Sequence, residues 1–247
     1  MAARKSTTAR LRTAEPPKVT APEAEAAIPV KQQLRISPPN LREGWFAIQG
    51  IAPNVGHAFS AKQQLVMEET QRAGQQAKVR KTRTPKDFEQ LYRDAQHVSE
   101  EGWLGIPASA FRNAVIDACR LVGFVMTRAK LSVFTIADGI DKNDGTPLVQ
   151  IHGEVRPIKL PVRNDNGSAD IRWRPMWSKW HARVVLEFDE DQLSLADLTN
   201  LLHRAGKQVG IGEGRPNSPN SNGLGWGRFE VVSGEAMVGA KPLVRSQ

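Results

Sequence analysis

One segment of the chain spaces its apolar residues like an amphipathic helix. In GIPASAFRNAVIDACRLVG the apolar positions recur every three to four residues, at Phe111, Val115, Cys119 and Val122. This period predicts a helix with one buried stripe. We expect Ser109 to cap its first turn and Gly123 to end it.

A second helix is predicted in SLADLTNLLHRAG. Its apolar stripe consists of Leu195, Leu198, Leu202 and Ala205. Ser194 and Asp197 have the spacing of a capping box, with Asp in place of the more common Glu. Gly206 is expected to end this helix.

Strands are predicted around the two helices. HARVVLEF alternates strictly, so that Val184, Leu186 and Phe188 share one face. Strands are also expected in GWFAIQGIAP, LSVFTIA, QVGI and RFEVV, and LVQIHGEVRPIKL predicts two strands around a tight turn at Gly153-Glu154.

This order of elements predicts an α+β protein. A β-α-β-β-α-β ferredoxin-like core, with an antiparallel sheet, two helices and a long insertion after the first strand, fits best. We expect a disordered tail at 1–30, a folded domain at 31–235 with its insertion at 58–103, and a C-terminal tail at 236–247. The first tail is rich in Ala, Thr, Pro and charge, which disfavours a packed core.

Charge then suggests a kind of partner. The formal net charge of +8 suits a polyanion, although a merely basic protein would also carry it. The densest cationic stretch is AKVRKTRTPK, inside the insertion, with no acid among Lys78, Arg80, Lys81, Arg83 and Lys86. It could be a solvated loop or could face phosphates.

Several classes of protein are disfavoured. The single cysteine, Cys119, excludes an internal disulfide framework, and its place on a helical stripe predicts a buried thiol. The sequence contains no apolar run of about 18 residues, so it predicts no membrane span. The N-terminus has no apolar signal segment. We expect a cytoplasmic protein of a bacterium or a phage-infected host, with no membrane partner.

Candidate chemistry is sparse. The loop KQVGIGEGRPNSPNSNGLGWGRFEVV has six glycines, but no helix follows them directly, so a dinucleotide fingerprint is excluded. The histidines lack metal-ligand spacing, and we predict neither a metal site nor a cofactor. His57 lies near Lys62 and remains open as a loop or functional residue. The Arg- and Trp-rich segment RWRPMWSKWHAR could bind nucleic acid or pack.

Three segments together resemble the RAMP superfamily, the family of CRISPR effector backbone subunits. WLGIPASAFRNAVIDACR resembles the start of its first helix, GIGEGRPNSPNSNGLGWGRFEVV resembles its glycine-rich loop, and AIQGIAPNVGHAF resembles its first strand and following loop. The resemblance covers residues 44–232. The VGIGEGRP and RPMW segments are also similar to an uncharacterised family of tailed phages and prophages.

The resemblance implies a ferredoxin-like (RRM/RAMP-like) fold that binds single-stranded RNA or DNA. It assigns phosphate contacts to Ser109 and Arg112, and close backbone approach to Gly212, Arg215 and Gly225, with Trp226 and Arg228 beside them. The insertion would act as a thumb carrying Lys78 to Lys86, and His57 and Lys62 are further candidate contacts to nucleic acid.

The resemblance also implies assembly. Backbone subunits line up head to tail along the strand, and we expect the same here, with an exposed Trp173–Trp180 segment at the contact and other complex subunits as further partners. Cutting subunits carry an aspartate near the first strand, and GIAPNVGHAFSAK has none, so we expect binding without catalysis. Two alternatives stay open: a phage structural or assembly protein, and a metal-independent ribonuclease that uses His57.

Overall fold

The computed structural model describes residues 37–59, 65, 67–69, 71–72, 87–163, 169–218 and 224–236. The predicted tail at 1–30 and residues 237–247 lie outside the described residues. So do Lys62 and the five basic side chains of the insertion, Lys78, Arg80, Lys81, Arg83 and Lys86.

The described residues form an α+β structure. Its strands are β1 (Leu41–Gly50), β2 (Asn54–Val55), β3 (His97–Val98), β4 (Leu104–Pro107), β5 (Val133–Ile136), β6 (Gly139–Ile140), β7 (Pro147–His152), β8 (Val155–Arg163), β9 (Ala169–Trp177), β10 (His181–Asp189) and β11 (Phe229–Ala236). Its helices are α1 (Phe88–Asp94), α2 (Ala108–Ala118), α3 (Met126–Ser132) and α4 (Leu195–Arg204).

The main sheet is antiparallel. Its order is β11-β1-β10-β7-β4-β3, with β5 paired to β10 and β6 to β7. Alternation along β10 buries Val184, Leu186 and Phe188, as predicted. These side chains form one core with Phe111 of α2 and Leu198 of α4. The amphipathic pattern of each element therefore reports the face that it buries.

A smaller second sheet has the order β2-β9-β8. The two strands predicted around the turn at Gly153-Glu154 are present, but they do not pair with each other. β7 pairs within the main sheet and β8 pairs with β9. Gly153 has φ +134°, and the backbone of Lys179 lies too close for any side chain there. The turn at Gly153 thus moves the chain from one sheet to the other.

Helix α2 differs in detail from its prediction. Phe111, Val115 and Cys119 are buried, but Val122 is 46% exposed because α2 ends at Ala118 and a 3-10 turn follows at Cys119–Leu121. Ser109 does not cap the helix, because it lies within the first turn. The N-cap residue is Pro107, whose side chain makes no hydrogen bond. Burial raises the pKa of the Cys119 thiol, as suits a structural residue.

Helix α4 begins with the predicted capping box between Ser194 and Asp197. Its end is different: Gly206 does not stop the helix, which continues as a π-helical turn over Ala205–Val209. The predicted strand QVGI is therefore wrong, and a turn at Gly210 with φ +74° ends the helical segment.

The segment from Trp173 to Trp180 is not an exposed aromatic surface. Trp177 and Trp180 are 1% and 2% exposed and belong to the core. The Trp180 indole donates to the carbonyl of Ala52 (2.9 Å), and Trp173 stacks on Phe88 of α1. These tryptophans join the second sheet to its neighbours, so Trp177 and Trp180 do not form the exposed surface that was predicted for this segment.

The last part of the predicted insertion belongs to the body of the protein. Helix α1 packs on β9 through Phe88 and Trp173, and β3 pairs with β4 at the edge of the main sheet. The backbone of Ala58 also donates to Ala95 (2.9 Å), which closes the base of the insertion. Within the described ranges, no helix is long and apolar enough to cross a membrane.

Candidate functional site

A cleft of about 1280 Å³ lies where three parts of the chain meet. One wall is the beginning of α2, the second is the glycine-rich loop after α4, and the third is the second sheet with its flanking loop. Predicted site residues His57, Ser109, Gly212, Arg215 and Trp226 all line it. The structure thus brings together residues that are up to 169 positions apart in the chain.

Helix α2 presents its first turn and one polar stripe to this cleft. Ser109, Asn113 and Asp117 lie four residues apart, on the side of the helix opposite the core. The first backbone N–H groups of a helix have no partner within the helix, and they carry the positive end of its dipole. Because no side chain caps α2, this end of the cleft suits an anion.

The glycine-rich loop is fastened to β2. The backbone N–H of Glu213 donates to the carbonyl of Val55 (2.9 Å). A Cβ at Gly212, which has φ +75°, would lie 2.5 Å from Asn54 Oδ1 and 2.7 Å from Val55 O. Glycine is therefore required at 212 by the protein's own packing, quite apart from any approach by a ligand.

Asn54 lies at the floor of the cleft. It is 1% exposed, and neither its Oδ1 nor its Nδ2 has a hydrogen-bond partner among the described residues. Buried side-chain amides in proteins are nearly always hydrogen-bonded. An unpartnered amide beneath a ligand-sized cleft is thus a group that a bound polar molecule could satisfy.

His57 is held in a small network. Arg174 donates to His57 Nε2 (3.0 Å) and to Glu213 Oε2 (2.9 Å), while His57 Nδ1 lies 3.9 Å from the same carboxylate. Burial, and then the positive charge of Arg174, lower the pKa of His57. The imidazole is therefore neutral near pH 7, and the glycine-rich loop is fastened to β9 by the bond between Arg174 and Glu213.

The charge balance of the cleft favours anions. Its two carboxylates each have an arginine: Glu213 pairs with Arg174, and Asp117 lies 3.5 Å from Arg120. Arg172 and Arg215 add further positive charge to the lining. Arg215 donates to the carbonyl of Gly212 (3.1 Å), which holds its guanidinium beside the loop.

A second histidine lines the cleft and was not anticipated. His97 Nδ1 donates to Asp141 Oδ2 (2.9 Å), and both residues are buried. Asp141 also accepts the backbone N–H of Asn143 (2.8 Å). The two residues are 44 positions apart in the sequence, so no local pattern could have revealed the pair.

Three predicted residues lie outside the cleft lining. Arg112 donates to the backbone carbonyls of Val133 and Lys130, and its guanidinium covers the ring of Phe134. Arg228 donates to the carbonyl of Gly225 (3.1 Å), and neither residue contacts the cavity. The structure therefore places Arg112 in the packing between α2 and β5 rather than beside a ligand.

Comparisons with known proteins give no match by sequence and distant matches by structure. No protein-family model matches the chain, and no curated protein sequence matches it. Among solved structures, the chain is similar to one from a cryo-EM structure of the Type III-B Cmr-beta bound to cognate target RNA. The TM-score is 0.42 at 10% identity, and the match covers 80% of this chain and 61% of the other. The match thus spans less than two thirds of the length of that other chain.

Proposed function

We propose that this protein binds single-stranded RNA or DNA in the cleft, without catalysis. The observation that carries the proposal is the meeting of an uncapped helix end with Arg215 and the glycine-rich loop. Helix N-termini and arginines are the groups that proteins most often offer to phosphates. The buried amide of Asn54, which has no partner among the described residues, lies at the same cleft.

The proposal includes a ferredoxin-like, RAMP-like core. Strands β11, β1, β10 and β5 are adjacent in that order and antiparallel. Helix α2 lies between β1 and β5 in the chain, and α4 lies between β10 and β11. Together they have the element order of a β-α-β-β-α-β unit. Strands β7, β4, β3 and β6 would then be additions to it.

Assembly is the second part of the proposal. One cleft covers only a few nucleotides, so stable coating of a long strand needs several copies, arranged head to tail. Other subunits of a larger complex could take the same positions. The basic insertion, Lys78 to Lys86, would add phosphate contacts in each copy.

Binding is tested by fluorescence anisotropy with labelled single-stranded RNA and DNA, and with duplex DNA as a comparison. Arg215 and Arg228 form a matched pair, because each donates to a glycine carbonyl three residues before it. We expect Arg215→Ala to weaken binding by about tenfold and Arg228→Ala to leave it close to that of the wild type. Absence of binding to any single strand would favour a structural protein instead, and equal effects of both variants would contradict the placement of the ligand.

A metal-independent ribonuclease is a second candidate, which the His97–Asp141 pair favours. His57 suits the role poorly because its Nε2 accepts from Arg174. With Nδ1 bound to Asp141, His97 Nε2 could accept the proton of a ribose 2′-hydroxyl. The oxygen would attack the adjacent phosphorus, the bond to the 5′-oxygen would break, and water would protonate that oxygen. Cleavage of labelled RNA in EDTA, lost in His97→Gln, would support this candidate.

A further inference from the structure

Two polar side chains on α2 face the cleft with no partner in the part of the chain that the structure describes. Ser109 and Asn113 are both exposed, and neither makes a hydrogen bond to a described residue. They are four residues apart, so that Asn113 lies about 6 Å farther along the helix than Ser109. The small residues Ala110 and Ala114, which follow them in the sequence, also line the cleft and leave the surface beside them open.

Trp226 supplies an aromatic surface to the same cleft. It is the only Trp, Phe or Tyr among the described lining residues, and it is half-buried. Its ring packs on Gly214, where a Cβ would lie 2.9 Å from Trp226 Cε3. Its backbone N–H donates to the carbonyl of Gly214 (3.1 Å), so that the ring is held by a short, closed loop.

We propose that these groups form a subsite for one nucleotide, with a preference for adenine. This inference rests on the proposed function and specifies its ligand. A phosphate would bind the first turn of α2, the base would stack on Trp226, and Asn113 would bind the edge of the base. All three groups line the same cleft.

Adenine is favoured by the chemistry of the amide. A carboxamide offers one donor and one acceptor side by side, which match N7 and the N6 amino group of adenine. On the edge that carries N7, guanine presents two acceptors and is better matched by arginine, and the corresponding edges of cytosine and uracil have no adjacent donor and acceptor. In a single strand this edge is accessible, and stacking on an aromatic ring holds the base.

The test compares labelled oligomers of adenosine, cytidine, uridine and 7-deaza-adenosine at one salt concentration. We expect the wild type to bind the adenosine oligomer roughly 5- to 150-fold more tightly than the uridine oligomer. The 7-deaza oligomer, which stacks like adenosine but lacks the N7 acceptor, should lose most of this preference. Asn113→Ala should weaken binding of the adenosine oligomer most and so remove the preference, and because Asn113 is exposed its loss should not unfold α2.

Trp226 is tested separately. Trp226→Phe should retain most of the affinity for every oligomer, whereas Trp226→Ala should weaken all of them, with folding checked by thermal melting. Equal affinity of the wild type for adenosine, cytidine and uridine oligomers would overturn the subsite and leave the proposed function standing. A preference that survives in Asn113→Ala would overturn the role of Asn113. Failure to bind all four oligomers would instead contradict the proposed function.

Discussion

Gly225 and Gly227 have the same backbone conformation, with φ of +65° and +66°, in different surroundings. A Cβ at Gly227 would lie 1.7 Å from the carbonyl oxygen of Ile211, and the backbone N–H of Ile211 donates to the carbonyl of Gly227 (3.0 Å). A Cβ at Gly225 would approach only Arg228 Nε, at 3.8 Å. A side chain at either position would therefore strain the backbone, but only a side chain at Gly227 would also clash with another residue.

These two glycines give a matched pair of variants. Gly225→Ala should lower the free energy of unfolding by about 1–2 kcal/mol, the cost of a left-handed conformation for an L-residue. Gly227→Ala should cost clearly more, because the backbone of Ile211 must also move. Urea unfolding of both variants measures the difference. Equal losses would show that the contact between Gly227 and Ile211 is not tight in solution.

His57 predicts a dependence of stability on pH. Its folded-state pKa is lowered by burial and by Arg174, so the unfolded chain binds this proton more readily. Stability should therefore be complete above the ordinary pKa of about 6.5 and should fall as the pH drops through that value. Thermal melting of the wild type and His57→Gln between pH 5 and 8 isolates this contribution. A variant with the same pH profile as the wild type would rule it out.

At the scale of elements, α2 has two faces with different tasks. Phe111 and Val115 pack into the core, while Ser109 and Asn113 line the cleft. Arg112, between these faces, joins α2 to β5 and to the end of α3 through the carbonyls of Val133 and Lys130. The position of the helix end, and hence of the anion-binding groups, depends on this packing.

Arg112→Ala should therefore affect stability rather than binding. Leaving two carbonyls without their charged donor should lower the free energy of unfolding by about 1–3 kcal/mol. The dissociation constant for a single-stranded oligonucleotide should stay within about twofold. Arg120→Ala is the control, since an exposed ion pair contributes about 0–1 kcal/mol. A folded Arg112→Ala protein with greatly weakened binding would restore Arg112 as a ligand contact.

At the scale of the whole molecule, two cationic regions could act on one strand. The first is the cleft with Arg172 and Arg215. The second is the stretch of the insertion from Lys78 to Lys86, which lies outside the described residues. Because the insertion begins and ends beside His57 and β3, its base borders the cleft.

Salt dependence measures how many charges contact phosphates. For a single strand, the logarithm of the affinity should fall with the logarithm of salt concentration by about 0.7 per phosphate neutralised. Replacing Arg80, Lys81 and Arg83 together with Gln should reduce this slope by up to about 2, if all three bind phosphates. A titration by anisotropy between low and moderate salt measures both slopes. An unchanged slope would remove the insertion from the proposed interface.

Local pattern was sufficient to predict much of the secondary structure. The alternation of Val184, Leu186 and Phe188, the stripe through Phe111 and Val115, and the capping box at Ser194 were all confirmed. Each depends on neighbours within one or two turns or on the two faces of one strand, and such information is carried by the spacing of residues. The overall positive charge is likewise a property of composition.

Only the tertiary structure decided which distant residues meet. The pairs His97–Asp141 and Arg174–Glu213 are 44 and 39 residues apart, and no period links their members. Strands β7 and β8 are adjacent in the chain and lie in different sheets, because the backbone turns at Gly153 against Lys179. Gly212 looked like a position for a ligand, but the protein's own Asn54 and Val55 occupy that space. Sequence spacing reports which face of an element is buried; the pairing of strands decides what it is buried against.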